Sequence, residues 1–249
     1  MIRVAGVRRT VSRLSVGAIV TLLAVMTGAK SASAEDPEVE RLRTDWAQLL
    51  LYRDENQRLP PPRAARPRVI FLGDSLTQSW DLAGLGLDRV EVLNRGISGQ
   101  TTPQMLVRFR QDVIDLKPVV VHILAGTNDL AGNTGPTTLE AIEDNLSSMV
   151  EVAKTNHIRV VLCSVLPALD YPWRPGLQPA PRIVALNEWI RTYAKRRKLV
   201  YADYYSVLVD SNGGFRSELA DDGVHPNSDG YAVMDPIARQ AVMRALAAR

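Results

Sequence analysis

Five residues scattered along a 249-residue chain carry groups suited to acyl transfer: Ser75, Gly99, Asn128, Asp222 and His225. Ser75 follows the apolar run Val69–Leu72 and the break Gly73-Asp74. A hydroxyl delivered into a turn at a strand end can attack a carbonyl carbon once a base removes its proton. Asp222-Gly-Val-His225 offers that base. A carboxylate bonded to one imidazole nitrogen fixes the tautomer and leaves the other nitrogen free to take a serine proton. The tetrahedral oxyanion then needs donors. The Ser75 N–H at a helix start, the Gly99 N–H and the Asn128 amide are candidates. Plainer readings stand beside these. Serine is a favoured helix N-cap, D-x-x-H suits a turn leading into a helix, glycine serves turns, and asparagine caps.

The chain has 3 histidines. His122 lies within an apolar run and reads as a packed core residue, and His157 follows Asn156 in a solvated turn. Only His225 has a carboxylate at useful spacing. Cys163 is the single cysteine, and no CxxC or HExxH spacing occurs, so neither a disulfide, a metal nor another cofactor is expected.

The elements that must position these groups alternate from Arg68 onward. Apolar, β-branched runs at Val69–Leu72, Val90–Leu93, Val119–Leu124, Ile158–Val165 and Leu199–Tyr201 predict strands. Thr77–Leu85, Pro103–Leu116, Leu139–Asn156, Arg182–Arg197 and about Ser228 to Ala248 predict helices. Near-continuous apolar strands separated by helices indicate a parallel sheet covered on both faces, hence a doubly wound, three-layer α/β/α domain. The strand order is not readable, but order 2-1-3-4-5 would put the ligand crevice between the first and third strands. The first three strands all end in polar, glycine-containing turns, after Leu72, Leu93 and Leu124. The loop Pro167–Pro181 is long for a strand-to-helix connection and rich in proline and aromatics. With Trp80 and Leu130, its Tyr171 and Trp173 are candidate walls of a substrate pocket; a rigid surface flap is the alternative.

Three segments are expected: a leader (1–34), an N-terminal amphipathic helix with a proline-rich connector (35–67), and the main domain (68–249). The leader has a basic start, an uncharged stretch from Leu14 to Ala29, and the small-residue pattern Ala32-Ser-Ala34, which predicts export to the periplasm or outside the cell. It holds five basic residues and no acidic ones, so its removal lowers the formal charge of +3 by five, to −2. The basic balance belongs to the leader and gives no indication of a nucleic-acid partner. Once the leader is removed, no stable membrane insertion is expected. In 35–67, Val39, Leu42, Trp46, Leu49 and Leu50 recur at helical spacing between Glu38 and Leu59, and Pro60-Pro-Pro62 ends the helix.

Taken together, the motifs resemble those of the GDSL-type, or SGNH, hydrolases. Gly73-Asp-Ser-Leu-Thr77, Ile97-Ser-Gly99, Gly126-Thr-Asn-Asp129 and Asp222-Gly-Val-His225 look like four of that family's blocks, in order. The segment Gly96 to Thr102 and the turn after the third strand look closest to members related to platelet-activating-factor acetylhydrolase and to bacterial acyl-esterases. The resemblance implies a flavodoxin-like five-stranded fold and hydrolysis of carboxylic or thioester bonds without a cofactor. In it Ser75 is the nucleophile, Asp222 and His225 complete the triad, and Ser75, Gly99 and Asn128 form the oxyanion hole. An exported serine esterase acting on short acyl esters of small molecules or carbohydrates is the expected function. A thioesterase or lysophospholipase, a carbohydrate O-acyltransferase, and a non-catalytic flavodoxin-like binding module are the alternatives. No G-x-S-x-G occurs, which removes support for an ordinary α/β-hydrolase.

Overall fold

The computed structural model describes residue 40 and residues 43–248. The expected leader lies outside them, as does the beginning of the expected N-terminal helix. Among the described residues the strands are β1 (Arg68–Gly73), β2 (Glu91–Gly96), β3 (Val120–Leu124), β4 (Arg159–Cys163) and β5 (Val200–Ala202). They form one parallel sheet in the order β2-β1-β3-β4-β5. This is the order that opens a crevice between β1 and β3.

Side chains alternate across a strand, so the continuous apolar runs must bury both faces. Ile70, Leu72, Val121, Ile123, Val160 and Leu162 face one layer. It is built from helices α3 (Thr102–Asp112), α5 (Leu139–Thr155) and α6 (Ala180–Arg197). Val69, Phe71, Val120, Val161 and Cys163 face the other, where α8 (Ser228–Ala247) packs Ala238, Ala241 and Ala245 against them. Small residues there let the helix axis approach the sheet closely. Short helices α2 (Ser75–Gln78), α4 (Thr127–Leu130) and α7 (Tyr205–Leu208) follow β1, β3 and β5. The single helix expected over Thr77–Leu85 is in fact α2 and a separate 3-10 turn at Leu82–Leu85, where Asp81 accepts from Ala83 N–H (3.1 Å).

The strand ends that carry the site are joined from behind by one buried side chain. Arg108 of α3 is fully buried. Its guanidinium donates to Gly73 O (3.0 Å), Arg95 O (2.9 Å) and Gln100 Oε1 (2.5 Å), and pairs with buried Asp112 (3.1 Å). The end of β1, the end of β2 and the loop after β2 are thus fixed to one rigid group.

The N-terminal segment differs from the expected continuous amphipathic helix. Over Asp45–Tyr52 the backbone runs in turns, and only α1 (Arg53–Arg58) is helical beyond them. Local and tertiary hydrogen bonds compete with the helix ladder. The Asp45 carboxylate accepts from Leu49 and Leu50 N–H (2.7 and 2.9 Å). The carbonyls of Trp46, Ala47 and Leu49 accept from the amides of Gln104 (2.6 Å), Gln100 (2.8 Å) and Gln111 (2.7 Å). The segment is therefore held as an arm across α3 and the loop before it by polar contacts, and Trp46, Leu50 and Leu51 are left exposed.

Removing one partner of a buried ion pair costs about 3–5 kcal/mol because the other charge stays unpaired. Arg108→Met should lower unfolding free energy by about that amount in urea denaturation. Adding Asp112→Leu should recover part of the loss. A single variant as stable as the parent would show that Arg108 is not the tie described.

Candidate active site

Ser75 is the first residue of α2, and it is not the cap. Asp74 occupies that place, its Oδ1 accepting from Leu76 N–H at 3.0 Å. The Ser75 hydroxyl is therefore released from capping and lies 2.9 Å from His225 Nε2. Across 150 residues of sequence, the fold brings the end of β1 to the loop before α8.

That loop is a tight turn around one carboxylate. Asp222 Oδ1 accepts from Val224 N–H (2.9 Å) and His225 N–H (2.7 Å), and Gly223 takes φ +76° between them. Asp222 Oδ2 stands 2.7 Å from His225 Nδ1. Partial burial raises the Asp222 pKa, but the hydrogen bonds from His225 and Val224 outweigh it and hold the carboxyl below its ordinary value. An ionised Asp222 keeps the proton on Nδ1 and leaves Nε2 as the acceptor for the serine hydroxyl.

Opposite Ser75 are the expected oxyanion donors. Neither the Ser75 N–H nor the Gly99 N–H has an acceptor among the described residues. Gly99 has φ +76°, and a Cβ there would meet only Asn133 Nδ2, at 3.9 Å, so the backbone is open to a ligand. Gly96, by contrast, is packed on α2, where a Cβ would stand 2.2 Å from Gln78 N. Asn128 is buried and already engaged. Its Nδ2 donates to Asp74 Oδ2 (3.0 Å) and Gln100 O (3.1 Å), and its Oδ1 accepts from Asn133 Nδ2 (2.7 Å). The resting site thus has two open backbone donors and an amide that would have to share a proton with a third acceptor.

Asp74 is the buried acid of this network. Desolvation pushes its pKa up to about 7, against the lowering influence of Leu76 N–H and His225. Asp129, next to Asn128, is raised by burial to about 6, opposed by the hydroxyl and N–H of Thr102.

Ser75, Gly99, Asn128 and His225 line a cavity of about 450 Å³, and among the described residues no aliphatic side chain does so. Its other walls are polar and include Gln48 from the arm, Ser98, Asn133 and Thr134. Sequence reasoning missed these. A signal existed for Asn133 and Thr134, which form a polar turn just after Gly126-Thr-Asn-Asp129, but none for Gln48, which stands outside every motif. Trp173 is on the wall. Its ring centroid is 6.0 Å from that of His225, and its Nε1 donates to Asn133 Oδ1 (3.0 Å).

The other three candidate wall residues do not line this cavity. Trp80 is buried on the α8 side, where its Nε1 donates to Asp235 (2.8 Å) and its ring packs edge-on to Phe71. An indole N–H needs a partner when buried, and Trp80 and that partner border a different cavity from the one Ser75 lines. Leu130 ends α4 facing the α3–α5–α6 core. The Tyr171 ring is buried beside Trp173 and borders a smaller neighbouring cavity with Asp222. His122 is a core residue, bonded to Tyr204 Oη (2.7 Å) and pushed down to about 3 by burial, while His157 is an exposed turn residue at φ +60°.

The profile of the GDSL-like Lipase/Acylhydrolase family matches residues 71–233. The chain is similar to the structure of a GDSL-like lipase of Bacteroides thetaiotaomicron, with TM-score 0.76 and 40% identity over 81% of this chain and 100% of that one. Esterase TesA of Pseudomonas aeruginosa is 26% identical over 179 residues, 66% of this chain and 82% of TesA. An acetylxylan esterase of Xylanibacter ruminicola is 23% identical over 222 residues, 74% of this chain and 45% of that one.

The raised Asp74 pKa sets a direction for stability against pH. An ordinary aspartate has pKa 3.8, so between about pH 4 and 7 the native chain keeps a proton that the unfolded chain has lost. Stability must fall as pH rises through that window. Asp129 acts in the same sense only up to about 6. Asp74→Asn should therefore flatten the decline between pH 6 and 7 by about 1 kcal/mol, read by urea denaturation at the two pH values. An unchanged decline in the variant would assign it to another group.

Proposed function

The chain belongs to the GDSL-like lipase/acylhydrolase family and is a carboxylic ester hydrolase, and from that premise we propose that Ser75, His225 and Asp222 carry the reaction. His225 Nε2 takes the Ser75 proton as Oγ attacks the acyl carbonyl. The oxyanion is received by the N–H groups of Ser75 and Gly99, with Asn128 turning one N–H from Gln100 O toward it. The imidazolium, held by Asp222, then protonates the departing alcohol. Water repeats the sequence on the acyl-serine and returns the free acid. The observation that carries this reading is the unbroken line from Asp222 through His225 to a serine hydroxyl excused from capping, at 2.7 and 2.9 Å.

The wall chemistry supports a short acyl group on a hydrophilic alcohol. Each methylene of a fatty chain gains roughly 0.8 kcal/mol when buried against apolar surface. A cavity without aliphatic side chains offers little of that. Polar walls beside one indole face suit a saccharide, and the similarity to an acetylxylan esterase points the same way. The leader pattern in residues 1–34 supports an exported enzyme meeting such substrates outside the cytoplasm.

Ser75→Ala should lower p-nitrophenyl acetate turnover by about 10⁴-fold or more with an unchanged thermal midpoint. His225→Ala should come close to the same loss, since the two act as one unit. Undiminished turnover in a folded Ser75→Ala protein would refute the assignment. Across an acyl series, kcat/KM should be greatest for acetyl and fall by tenfold or more by decanoyl.

A further inference from the structure

The ester hydrolase reading leaves one wall group of the cavity without a task. Arg174 lies on the loop between β4 and α6, in the same cavity wall as Trp173. Its guanidinium has no hydrogen bond and no ion pair among the described residues. Arg68, Arg95 and Arg108, the buried arginines, are all paired. Among the described residues lining the cavity, none is acidic. The carboxylates behind it, Asp74 and Asp222, are engaged by Leu76 N–H and Asn128, and by His225.

Arg174 is also held in place. Asp170, in the same loop, spends its carboxylate on the N–H groups of Tyr171 (3.0 Å), Gly176 (2.5 Å) and Leu177 (3.1 Å) and clamps both ends of the segment. Arg174 N–H donates to Tyr171 O (2.8 Å), closing the turn that presents Trp173 and Arg174 together. The guanidinium lies over Gly132, where a Cβ would stand 2.9 Å from Nη1. Gly132 has φ +71°, so the turn beneath Arg174 both needs glycine for its backbone and leaves room for the guanidinium.

A planar guanidinium presents paired N–H donors that match a carboxylate bidentately. One such cation, with neutral polar groups and an indole face around it, fits a singly charged sugar better than a phosphate ester, for which several cations or a helix N-terminus would be expected. We infer that Arg174 forms a carboxylate subsite and that the substrate is an O-acylated acidic saccharide, a sugar ester bearing a uronate-type carboxylate near the scissile bond. This rests on the ester hydrolase reading of Ser75 and names the alcohol side of its substrate.

The test compares O-acetylated oligogalacturonide with the same saccharide methyl-esterified, binding to full-length Ser75→Ala protein by calorimetry. The acidic form should bind tenfold or more tightly, and the difference should shrink as salt rises from 0.05 to 0.5 M, on the order of a threefold fall in Debye length. Arg174→Gln in the same background should erase the difference, and Arg174→Lys should restore part of it. Equal affinity of the two forms, no binding of either, or a difference that survives Arg174→Gln would overturn the inference. Acetyl ester turnover by the chain with Ser75 intact is scored separately. Its absence would refute the hydrolase mechanism while leaving the carboxylate binding result to stand or fall by itself.

Discussion

The structure depends on a charge placed where charge is expensive. Arg108 sits at the junction of β1, β2 and α3, and its donors are spent on Gly73 O, Arg95 O, Gln100 Oε1 and Asp112. Buried polar groups must be satisfied, and Gly73 O takes a second donor from the guanidinium beside Ile97 N–H (3.0 Å), while Arg95 O takes one near the end of β2. The guanidinium meets that need for two adjacent strands at once. In doing so it fixes the spacing between the turn that carries Ser75 and the loop that carries Gly99, the two backbone donors that any oxyanion between them would have to reach.

From that tie the hydrogen bonds run outward as one network. Gln100 accepts from Arg108 through its side chain and from Asn128 through its backbone, and donates to Ala47 of the arm. Asn128 joins Asp74 to Asn133, and Asn133 accepts from Trp173. Asp129 caps α3 through Thr102, whose hydroxyl also accepts from Asn145 of α5. The turn after β1, the loop after β2, the arm, α3, α4, α5 and the β4–α6 loop are thus linked, largely by buried or half-buried amides and carboxyls. Such a network is rigid when every member is satisfied, and each member's cost rises if a partner is lost.

The sheet was legible because parallel strands buried on both faces leave long apolar runs, and β1, β3 and β4 carry the clearest ones. The five residues with chemical promise stood out because most lie beside a glycine at a strand end or turn, a local signature that needs no tertiary knowledge. Illegible were contacts whose cause is remote. Trp80 and Leu130 are large apolar residues close in sequence to the site, but the direction of a side chain depends on the turn of α2 and α4, which the sequence does not state. Serine suits a cap by residue type, but Asp74 takes that position one residue earlier. Asp45–Tyr52 has the spacing of an amphipathic helix, and glutamines more than fifty residues away pull its carbonyls out of the helix ladder.

That arm separates two jobs that are often encoded together. Gln48 borders the cavity from a segment that contributes no strand to the sheet and no cap to α2, which holds Ser75, or to α8, which follows His225. Between Trp46 and Leu49 the anchoring glutamines hold the segment by backbone carbonyls, which every amino acid possesses, while at its end the Tyr52 hydroxyl donates to Gly96 O (2.5 Å). The side chains of Trp46, Ala47 and Leu49 are therefore not what the anchoring glutamines recognise. Within such an arrangement, substitutions along the arm can reshape the rim of the cavity while the anchoring amides keep finding the same acceptors. The rim of the cavity is thus set by residues on which the positions of Ser75 and His225 do not depend.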